Sequence, residues 1–289
     1  MNGTSVPVAV VIVSFNTREL TLRAVDAVLC GTRVPSEIIV VDNASKDGSV
    51  SALRERFHDR IAVVAGVENI GFARANNYGI ARTVSPYLWL LNSDTEAGAH
   101  TLEAAHDFMA SHPNIAAGTP PLIYPDGRPQ PCGGFFPSFS NIFFRFVPIH
   151  RALPVFLRSR LRLMAVVPRI VSPMGANIDY AAGASLFLRR DAFLSVNGFD
   201  ERYFMYFEET DLCYRLHEAG HRVVAFPADP VMHVAGGSFR SAYDPHREEL
   251  FVAGLRAFVS RRYAGAYRFL LLGKIAVLAP FHRLLRRFI

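Results

Sequence analysis

Polar residues that can hold a cation or a phosphate follow directly after a long apolar run. The run from Tyr87 to Leu91 stops at Asn92, Ser93 and Asp94. Large apolar residues in succession, without polar alternation, are typical of a strand buried on both faces of a parallel sheet. Ligands of such sheets bind beyond the carboxyl ends of the strands, where an Asp oxygen can hold a divalent cation. The alternative is that the three polar residues only form a turn and cap the next helix.

Two earlier apolar runs end in the same way. One ends at Ser14 and is followed by Asn16, and the other ends at Asp42. Because the carboxyl ends of neighbouring parallel strands lie side by side, these residues are predicted to line one cleft with Asp94. Asp42 can accept a hydrogen bond from the imide N–H of a uracil or thymine ring. Capping of the following helix explains Asp42 equally well.

A second polar cluster precedes and begins a predicted helix. It contains Asn69, Gly71, Asn76 and Asn77. Gly71 lets the backbone approach a ligand closely, and the amide side chains can bind ribose or phosphate. Asparagine is also a common helix cap, but this density of polar residues is harder to explain by capping alone.

Three acids, Glu208, Glu209 and Asp211, begin another predicted helix. The positive end of a helix dipole favours acids at that position, which is the structural explanation. They follow the aromatic segment Tyr203 to Phe207, which would suit a sugar ring and could raise the pKa of a carboxyl group. His233 is a candidate ligand of a metal or phosphate, although a lone histidine is more often an ordinary buried residue.

The hydrophobic pattern alternates between strand and helix. Strands are predicted at 8–14, 37–42, 61–65, 87–91, 223–226 and 231–233, and helices at 20–29, 49–57, 73–81, 99–111 and 208–219. Regular structure is also expected at 180–189. This order predicts an α/β protein with a mostly parallel, Rossmann-like sheet. The first strand and helix lack GxGxxG, so a dinucleotide site has no support. Residues 124–175 are predicted to form an insertion with one or two short basic amphipathic helices.

Composition excludes several classes of protein. Hydrophobic residues make up 51% of the 289 residues and charged residues 19%, which excludes a disordered chain. Three widely separated cysteines fit a reducing compartment and no disulfide framework. No Lys or Arg precedes Arg18, which is unlike a signal peptide.

The net charge of +6 comes from two segments. Residues 127–178 contain seven arginines and no acid, and residues 250–289 contain eight Lys or Arg and no acid. Both segments are also apolar, a combination that suits an anionic membrane surface better than nucleic acid. An ordinary solvated basic face is the alternative.

The apolar tail at 269–281 is too short for a membrane span, which needs about 20 residues. It is predicted to be an interfacial helix or a hairpin-like insertion broken at Pro280. A C-terminal helix docked on the core is an equally good interpretation.

Taken together, the motifs resemble those of a known family. They are Val-Ser-Phe-Asn (13–16), Val-Asp-Asn-Ala-Ser (41–45), Asn-Ile-Gly-Phe-Ala-Arg-Ala-Asn-Asn (69–77), Asn-Ser-Asp (92–94), Gly-Ala-Ser (183–185), Asn-Gly-Phe-Asp (197–200), Phe-Glu-Glu-Thr-Asp-Leu-Cys-Tyr-Arg (207–215) and His233. This set resembles the family 2 inverting glycosyltransferases with the GT-A fold, and most closely the bacterial rhamnosyltransferase-like members. The motifs keep the family's order over residues 8–238.

The resemblance implies roles for individual residues. For the nucleotide-sugar it implies base contacts from Ser14, Asn16 and Asp42, ribose and diphosphate contacts from Asn69, Gly71 and Asn76, and a further contact from Asn92. Asp94 matches the last acid of the family's DxD motif and would hold Mg²⁺ or Mn²⁺ with His233. Asn92 stands where the first acid of that motif would be. Glu209 is the expected general base, with Asp211 as the alternative, and the acceptor would be bordered by Gly183, Ala184 and Glu208.

The resemblance also implies the activity and its setting. We expect a GT-A domain over residues 1–243 and a helical, membrane-associating extension over 244–289. The expected reaction moves a sugar from a dTDP- or UDP-sugar to a lipid-linked or polysaccharide acceptor. It would occur at the cytoplasmic face of the cell membrane and involve no nucleic acid. The alternatives are a nucleotidyltransferase that acts on sugar phosphates and a non-catalytic nucleotide-sugar-binding module.

Overall fold

A computed structural model of the protein describes residues 5–147, 149, 161–168, 170, 172–234 and 245–285. Its first elements are β1 (Ser5–Ser14), α1 (Arg18–Leu29), β2 (Val34–Asp42), α2 (Ser49–Phe57), a 3-10 turn (His58–Arg60), β3 (Ala62–Ala65), α3 (Phe72–Ile80) and β4 (Tyr87–Asn92). The middle elements are β5 (Thr95–Ala97), α4 (Thr101–Ser111), β6 (Ile115–Thr119), β7 (Leu122–Ile123), β8 (Pro129–Gln130), β9 (Gly133–Gly134), α5 (Phe139–Phe146), β10 (Ala176–Asn177), β11 (Tyr180–Ala181) and β12 (Ser185–Arg189). The last are α6 (Arg190–Ser195), α7 (Glu208–Glu218), β13 (Arg222–Ala225), β14 (Val231–His233), α8 (Pro245–Arg262) and α9 (Gly265–Leu285).

The central sheet has the strand order β10-β13-β6-β12-β4-β1-β2-β3. Strands β4, β1, β2 and β3 are parallel, whereas β12 runs antiparallel between β4 and β6. The apolar runs of β1 and β4 are fully buried, with Val10 and Trp89 both at 0% exposure, because helices cover both faces of the sheet. The prediction of an α/β fold with a mostly parallel sheet is confirmed.

The register of the parallel strands aligns their polar ends. Ser14 of β1 pairs with Asp42 of β2, and Val13 pairs with Asn92 of β4. Strand β12 is antiparallel to β4, so its first residues lie at the same edge as the last residues of β4. There the amide N–H of Asn92 donates to the carbonyl of Ala184. Residues far apart in the sequence therefore meet at one edge of the sheet.

A small second sheet positions the histidine. Its strand order is β5-β14-β7-β8, and His233 pairs with Thr95 across the antiparallel strands β14 and β5. The amide N–H of Val234 also donates to the carbonyl of Asp94 at 3.0 Å. This pairing holds His233 beside the polar end of β4.

The C-terminal helices α8 and α9 form a second hydrophobic core with the insertion helix α5. Their buried contacts are made by Ile142, Phe146, Leu255, Phe258, Leu271 and Ile275. Tyr203 and Phe207, which precede α7, belong to the same cluster. The predicted helix of the insertion is present as α5, while the part at 150–160 lies outside the described residues.

The prediction of a hairpin broken at Pro280 is wrong, because α9 is continuous through that residue. One side of α9 is anchored by Leu271, Ile275 and Ala279, and this packing maintains the helix where the proline lacks a hydrogen-bond donor. The tail is thus docked, in agreement with the second interpretation. Within the described residues, none of the helices combines the length and hydrophobicity that a bilayer crossing requires.

Candidate active site

A cavity of about 270 Å³ opens at the polar edge of the central sheet, close to the lower limit of volumes seen for small-molecule sites. Nine of the fourteen predicted site residues line it: Asn69, Gly71, Asn92, Asp94, Gly183, Ala184, Glu208, Glu209 and His233. The remaining five do not line it: Ser14, Asn16, Asp42, Asn76 and Asp211. The residues predicted from separate motifs therefore share one cavity, with corrections for individual side chains.

The predicted contact of Ser14 with the nucleotide base needs correction. Its side chain is completely buried, and its hydroxyl lies 2.9 Å from that of Thr21 and 3.3 Å from that of Thr17. Thr17 in turn donates to the hydroxyl of Ser93 at 2.8 Å. This hydroxyl network joins the end of β1 to α1 and to the turn after β4. Ser14 thus supports the wall of the cavity, and its hydroxyl faces other side chains.

Asn16 and Asp42 bridge the loops that follow β1 and β2. Asn16 has a left-handed backbone (φ 52), which asparagine tolerates, and its side-chain oxygen accepts from the amide N–H of Lys46 at 2.8 Å. In Asp42, Oδ1 accepts from the amide N–H of Ser45 at 2.9 Å. Oδ2 is buried and has no hydrogen-bond partner among the described residues. An unsatisfied buried carboxylate oxygen is unfavourable, so this atom is a candidate acceptor for a ligand N–H.

The loop before α3 is organised by Asn43, a residue that was not among the predicted site residues. Its side-chain N–H donates to Asn69 at 2.8 Å, and its oxygen accepts from the amide N–H of Ile70 at 3.1 Å. Gly71 has φ 82, and a Cβ there would lie 2.6 Å from the carbonyl oxygen of Phe204, so only glycine fits. Asn43 stands next to Asp42 in the quoted motif at 41–45, and this position was the feature of the sequence that could have identified it as a site residue.

The predicted contact of Asn76 with the ribose or diphosphate is the second prediction that needs correction. Its side chain is 1% exposed and donates to the carbonyl of Phe72 at 2.9 Å, one turn earlier in α3. This bond keeps the amide inside the helix packing and away from the cavity. Asn69 and Gly71 remain the residues of this cluster that line the cavity.

Asp94 and His233 form a close pair in the cavity wall. Nε2 of His233 lies 3.3 Å from Oδ1 of Asp94, and its Nδ1 lies 2.9 Å from Oε1 of Gln130. Because Oε1 of Gln130 can only accept, it assigns the ring proton to Nδ1 and leaves Nε2 with a lone pair. In that tautomer Nε2 and Oδ1 of Asp94 are two acceptor atoms that face each other, an arrangement that a cation between them would stabilise.

These residues fit a divalent cation that the substrate helps to bind. No group of three or more His, Cys, Asp or Glu within the described ranges has the arrangement of a self-sufficient metal site. Mg²⁺ is commonly bound by one or two carboxylates together with substrate phosphates, so two protein ligands meet that requirement. Asn92 also lines the cavity and brings an uncharged oxygen where a second carboxylate would otherwise stand.

Glu208 and Glu209 lie at the start of α7, after two residues with left-handed backbone, Tyr206 (φ 68) and Phe207 (φ 72). Burial raises the pKa of Glu209 to about 7. Burial, and then the charge of Glu209, raises the pKa of Glu208 well above its ordinary value of 4.5. A carboxyl group with a pKa near 7 is suited to general base catalysis at neutral pH.

The alternative of Asp211 as the general base is the third prediction that needs correction. Its side chain is completely buried and accepts hydrogen bonds from Arg262 at 2.6 and 2.9 Å, Arg215 at 2.8 Å and the hydroxyl of Tyr203 at 3.1 Å. These four hydrogen bonds occupy both carboxylate oxygens, and the side chain does not line the cavity. Asp211 therefore joins α7 to the end of α8, and Glu209 is the acid of this motif that reaches the cavity.

The model of glycosyl transferase family 2 matches residues 9–154, which is half of the chain. The chain belongs to this family. It is 28% identical over 254 residues to the N-acetylglucosaminyl-diphospho-decaprenol L-rhamnosyltransferase of Mycobacterium tuberculosis, covering 82% of this chain and 78% of that protein. A stretch of 66 residues is 44% identical to rhamnosyltransferase WbbL of Escherichia coli, which is 23% of this chain and 25% of WbbL.

Solved structures show the same architecture. The mannosyltransferase PcManGT from Pyrobaculum calidifontis, in complex with GDP-Man and Mn²⁺, has a TM-score of 0.62 and 16% sequence identity, over 96% of this chain and 71% of that one. The family 2 chain therefore has the predicted GT-A fold and is a glycosyltransferase of the hexosyltransferase type.

One cavity residue of this family 2 enzyme had no signal in the sequence. Arg247, near the start of α8, lines the cavity, and its Nε donates to the hydroxyl of Tyr206 at 2.8 Å. It lies outside every motif that supported the resemblance. Arg247 reaches the site because α8 docks beside the aromatic segment Tyr203 to Phe207.

Proposed function

We propose that this enzyme transfers rhamnose or a related sugar from a dTDP- or UDP-sugar, with inversion of the anomeric carbon. The acceptor is a saccharide on a lipid diphosphate, or a cell-surface polysaccharide. The supporting observation is that one cavity is lined by an Asp–His pair that fits a cation and by a carboxyl group whose pKa is about 7. The M. tuberculosis relative, named as a rhamnosyltransferase for a sugar diphospholipid, supports the choice of sugar and acceptor.

On the donor side, each residue has a distinct task. Oδ2 of Asp42, which has no hydrogen-bond partner among the described residues, accepts from the N–H of the base. The loop of Asn69 and Gly71, which lines the cavity, contacts the ribose and diphosphate. Asp94 and His233 would hold Mg²⁺ or Mn²⁺, and Asn92 lines the same cavity. When bound, the cation supplies positive charge that favours departure of the nucleoside diphosphate.

On the acceptor side, Glu209 removes the proton from the attacking hydroxyl group. The acceptor oxygen forms a bond to the anomeric carbon as the bond from that carbon to the diphosphate oxygen breaks. Glu209 retains the proton and the nucleoside diphosphate leaves. Gly183 and Ala184 border the acceptor, and Gly183 lies close to the base: a Cβ there would be in ordinary contact with Phe72 at 3.6 Å and with Cγ of Glu209 at 3.9 Å. Glu208 borders the same space.

A panel of nucleotide-sugars with Mg²⁺ or Mn²⁺ tests the proposal. The expected product of slow donor hydrolysis is a nucleoside diphosphate. A nucleotidyltransferase would instead need added pyrophosphate and would convert the donor to a nucleoside triphosphate and a sugar phosphate. No turnover with any donor would favour a binding module.

The metal site has its own test. Asp94→Ala should abolish metal-dependent binding of the nucleoside diphosphate, because Asp94 is the only acid of the proposed cation pair, and His233→Ala should weaken that binding less. Titration calorimetry with the nucleoside diphosphate and Mn²⁺ measures both. Unchanged affinity in Asp94→Ala would contradict the cation site.

We also propose that the enzyme is peripheral on the cytoplasmic face of the cell membrane and binds anionic lipid through α9 and α5. The docked helix α9 leaves Leu270 (58% exposed), Val277 (70%) and Phe281 (49%) uncovered. At ~100° per residue, these three side chains fall on one stripe of the helix. Lys274 borders the stripe and donates to the carbonyl of Phe139, itself 51% exposed. An apolar stripe with adjacent cations is typical of interfacial helices.

A further inference from the structure

The active-site cavity contains a cation that the proposed mechanism does not use. Arg247 is the one Lys or Arg among the described residues that line it, and it shares the wall with Tyr206, Glu208 and Glu209. Its Nε donates to the hydroxyl of Tyr206 at 2.8 Å, which fixes one edge of the guanidinium group. An arginine held at the wall of a substrate cavity is well suited to a phosphate or carboxylate, because its charge is permanent and its hydrogen bonds to anions are charge-assisted.

Helix α8 is held firmly where it presents Arg247. Gly254 packs against the loop before α7, and a Cβ there would lie 2.7 Å from the carbonyl oxygen of Tyr206. At the end of α8, Arg262 makes two hydrogen bonds to the buried Asp211 of α7. Arg247 therefore has a defined position relative to Glu209, although it lies in a separate helix.

The geometry of inversion decides which substrate faces Arg247. In a single displacement, the general base and the acceptor approach the sugar on the face opposite the departing diphosphate. Asp94 and His233 belong to the side of the leaving group, whereas Arg247 is bonded to Tyr206, two residues before Glu208. Through this bond Arg247 lies beside the loop that leads to Glu209, which is the acceptor side of the proposed reaction.

We propose that Arg247 binds a phosphate group of the acceptor, so that the site selects saccharides carried on a lipid diphosphate. This inference rests on the proposed function, which supplies the class of acceptor. It assigns to the C-terminal extension a direct part in recognition of the substrate. The acceptor phosphate needs a cation of its own, because the cavity wall already carries three acids, Asp94, Glu208 and Glu209.

The test compares two acceptors that carry the same sugar, one on a lipid diphosphate and one on an uncharged alkyl chain. In Arg247→Gln, the KM for the diphosphate acceptor should rise roughly 10- to 100-fold, the range for loss of a charged hydrogen bond. The KM for the alkyl acceptor and the rate of donor hydrolysis should stay within about threefold. Arg247→Lys keeps the charge and should recover part of the affinity. Arg256→Gln, an exposed position on the same helix, is the matched control and should change neither KM.

Each contrary result has a separate meaning. An equal loss with both acceptors would overturn the proposal, because Arg247 would then only position Tyr206. A raised KM for the donor would assign Arg247 to the donor diphosphate and also overturn it. Wild-type enzyme that transfers sugar to neither acceptor would overturn this inference together with the lipid-linked acceptor of the proposed function. Arg247→Gln with the acceptor preference of the wild type would overturn this inference alone.

Discussion

Glu209 owes its basicity to its three-dimensional surroundings. Removal from water disfavours the charged form and raises the pKa to about 7. The same acid at an exposed helix start would be ionised far below neutral pH and would be a weak base. The cavity thus converts an ordinary glutamate into a group that can take a proton from a hydroxyl at neutral pH.

Glu209→Gln should reduce kcat by roughly 10²- to 10⁴-fold, because the amide keeps the shape of the side chain but cannot accept the proton. Donor affinity, measured by calorimetry, should be unchanged. In the wild type, kcat/KM should rise with pH through about 7, since the base must be ionised, and the variant should lack this rise. Activity within about tenfold of the wild type would contradict the assignment of Glu209 as the base.

Glu208 carries the stronger penalty of burial, with 5% exposure and one oxygen without a partner in the described part of the chain. Its pKa is raised above 4.5 in the folded protein, so the folded state binds the proton more tightly than the unfolded state does. Its contribution to stability is therefore fully present below about pH 4.5 and is lost as the pH rises through the folded-state pKa.

Glu208→Gln should accordingly raise Tm relative to the wild type at about pH 8 and give no comparable gain at about pH 4. The reason is that the glutamine stays neutral at both values, while the buried glutamate must ionise at the higher one. Circular dichroism melts of both proteins at the two pH values measure the difference. A gain in Tm that is the same at both would show that burial of charge is not the cause.

At the scale of elements, α8 supports the loop that presents the catalytic acids. Tyr206 and Phe207 both have left-handed backbones, which costs roughly 1–2 kcal/mol per non-glycine residue. Such a conformation persists where surrounding structure determines it. Here the helix backbone at Gly254 lies directly against the Tyr206 carbonyl, and Arg262 fixes the adjacent α7 through Asp211.

Gly254→Ala should lower the free energy of unfolding by roughly 1–3 kcal/mol, the usual effect of overpacking. Its Cβ would meet the carbonyl oxygen of Tyr206 at 2.7 Å and the ring of Phe207 at 3.0 Å. Gly273→Ala in α9 is the control, because nothing lies within 4 Å of its Cβ, and it should stabilise the helix by up to about 1 kcal/mol. Urea denaturation compares the two, and equal effects would contradict a close approach at Gly254.

At the scale of the whole molecule, α9 has two different faces. Leu271, Ile275 and Ala279 are buried against the rest of the second core, whereas Leu270 and Val277 are exposed. Removal of the tail would therefore damage the fold, and point substitutions on the exposed face are the better test of membrane binding. Such substitutions remove the apolar stripe and leave the core intact.

The double variant Leu270→Glu and Val277→Glu should lose most binding to anionic vesicles, because it removes apolar contact and adds charge of the same sign as the lipid. Flotation with phosphatidylglycerol vesicles measures recovery. Binding by the wild type should fall as salt increases. Val84→Glu is the control, since Val84 is 84% exposed in the turn between α3 and β4. Equal flotation of the double variant and the wild type would exclude this face as the contact.

Local sequence determined the strands and the polar residues at their ends. Unbroken apolar runs made β1, β2 and β4 recognisable as buried parallel strands, and the register rules of such a sheet then required Asp42, Asn92 and Asp94 to share one edge. Gly71 was recognisable because it stands in a dense run of polar residues, where a glycine lets the backbone approach a ligand. These features depend on neighbours along the chain and on one general property of parallel sheets.

Only the tertiary structure decided which of these polar residues reach the cavity. Ser14 and Asn76 satisfy their hydrogen bonds inside the packing, and Asp211 is enclosed by Arg215 and Arg262. The position of Arg247 at the cavity depends on how α8 docks. Such contacts join residues far apart in the sequence and result from competition among many packing arrangements, and no local pattern encodes that competition.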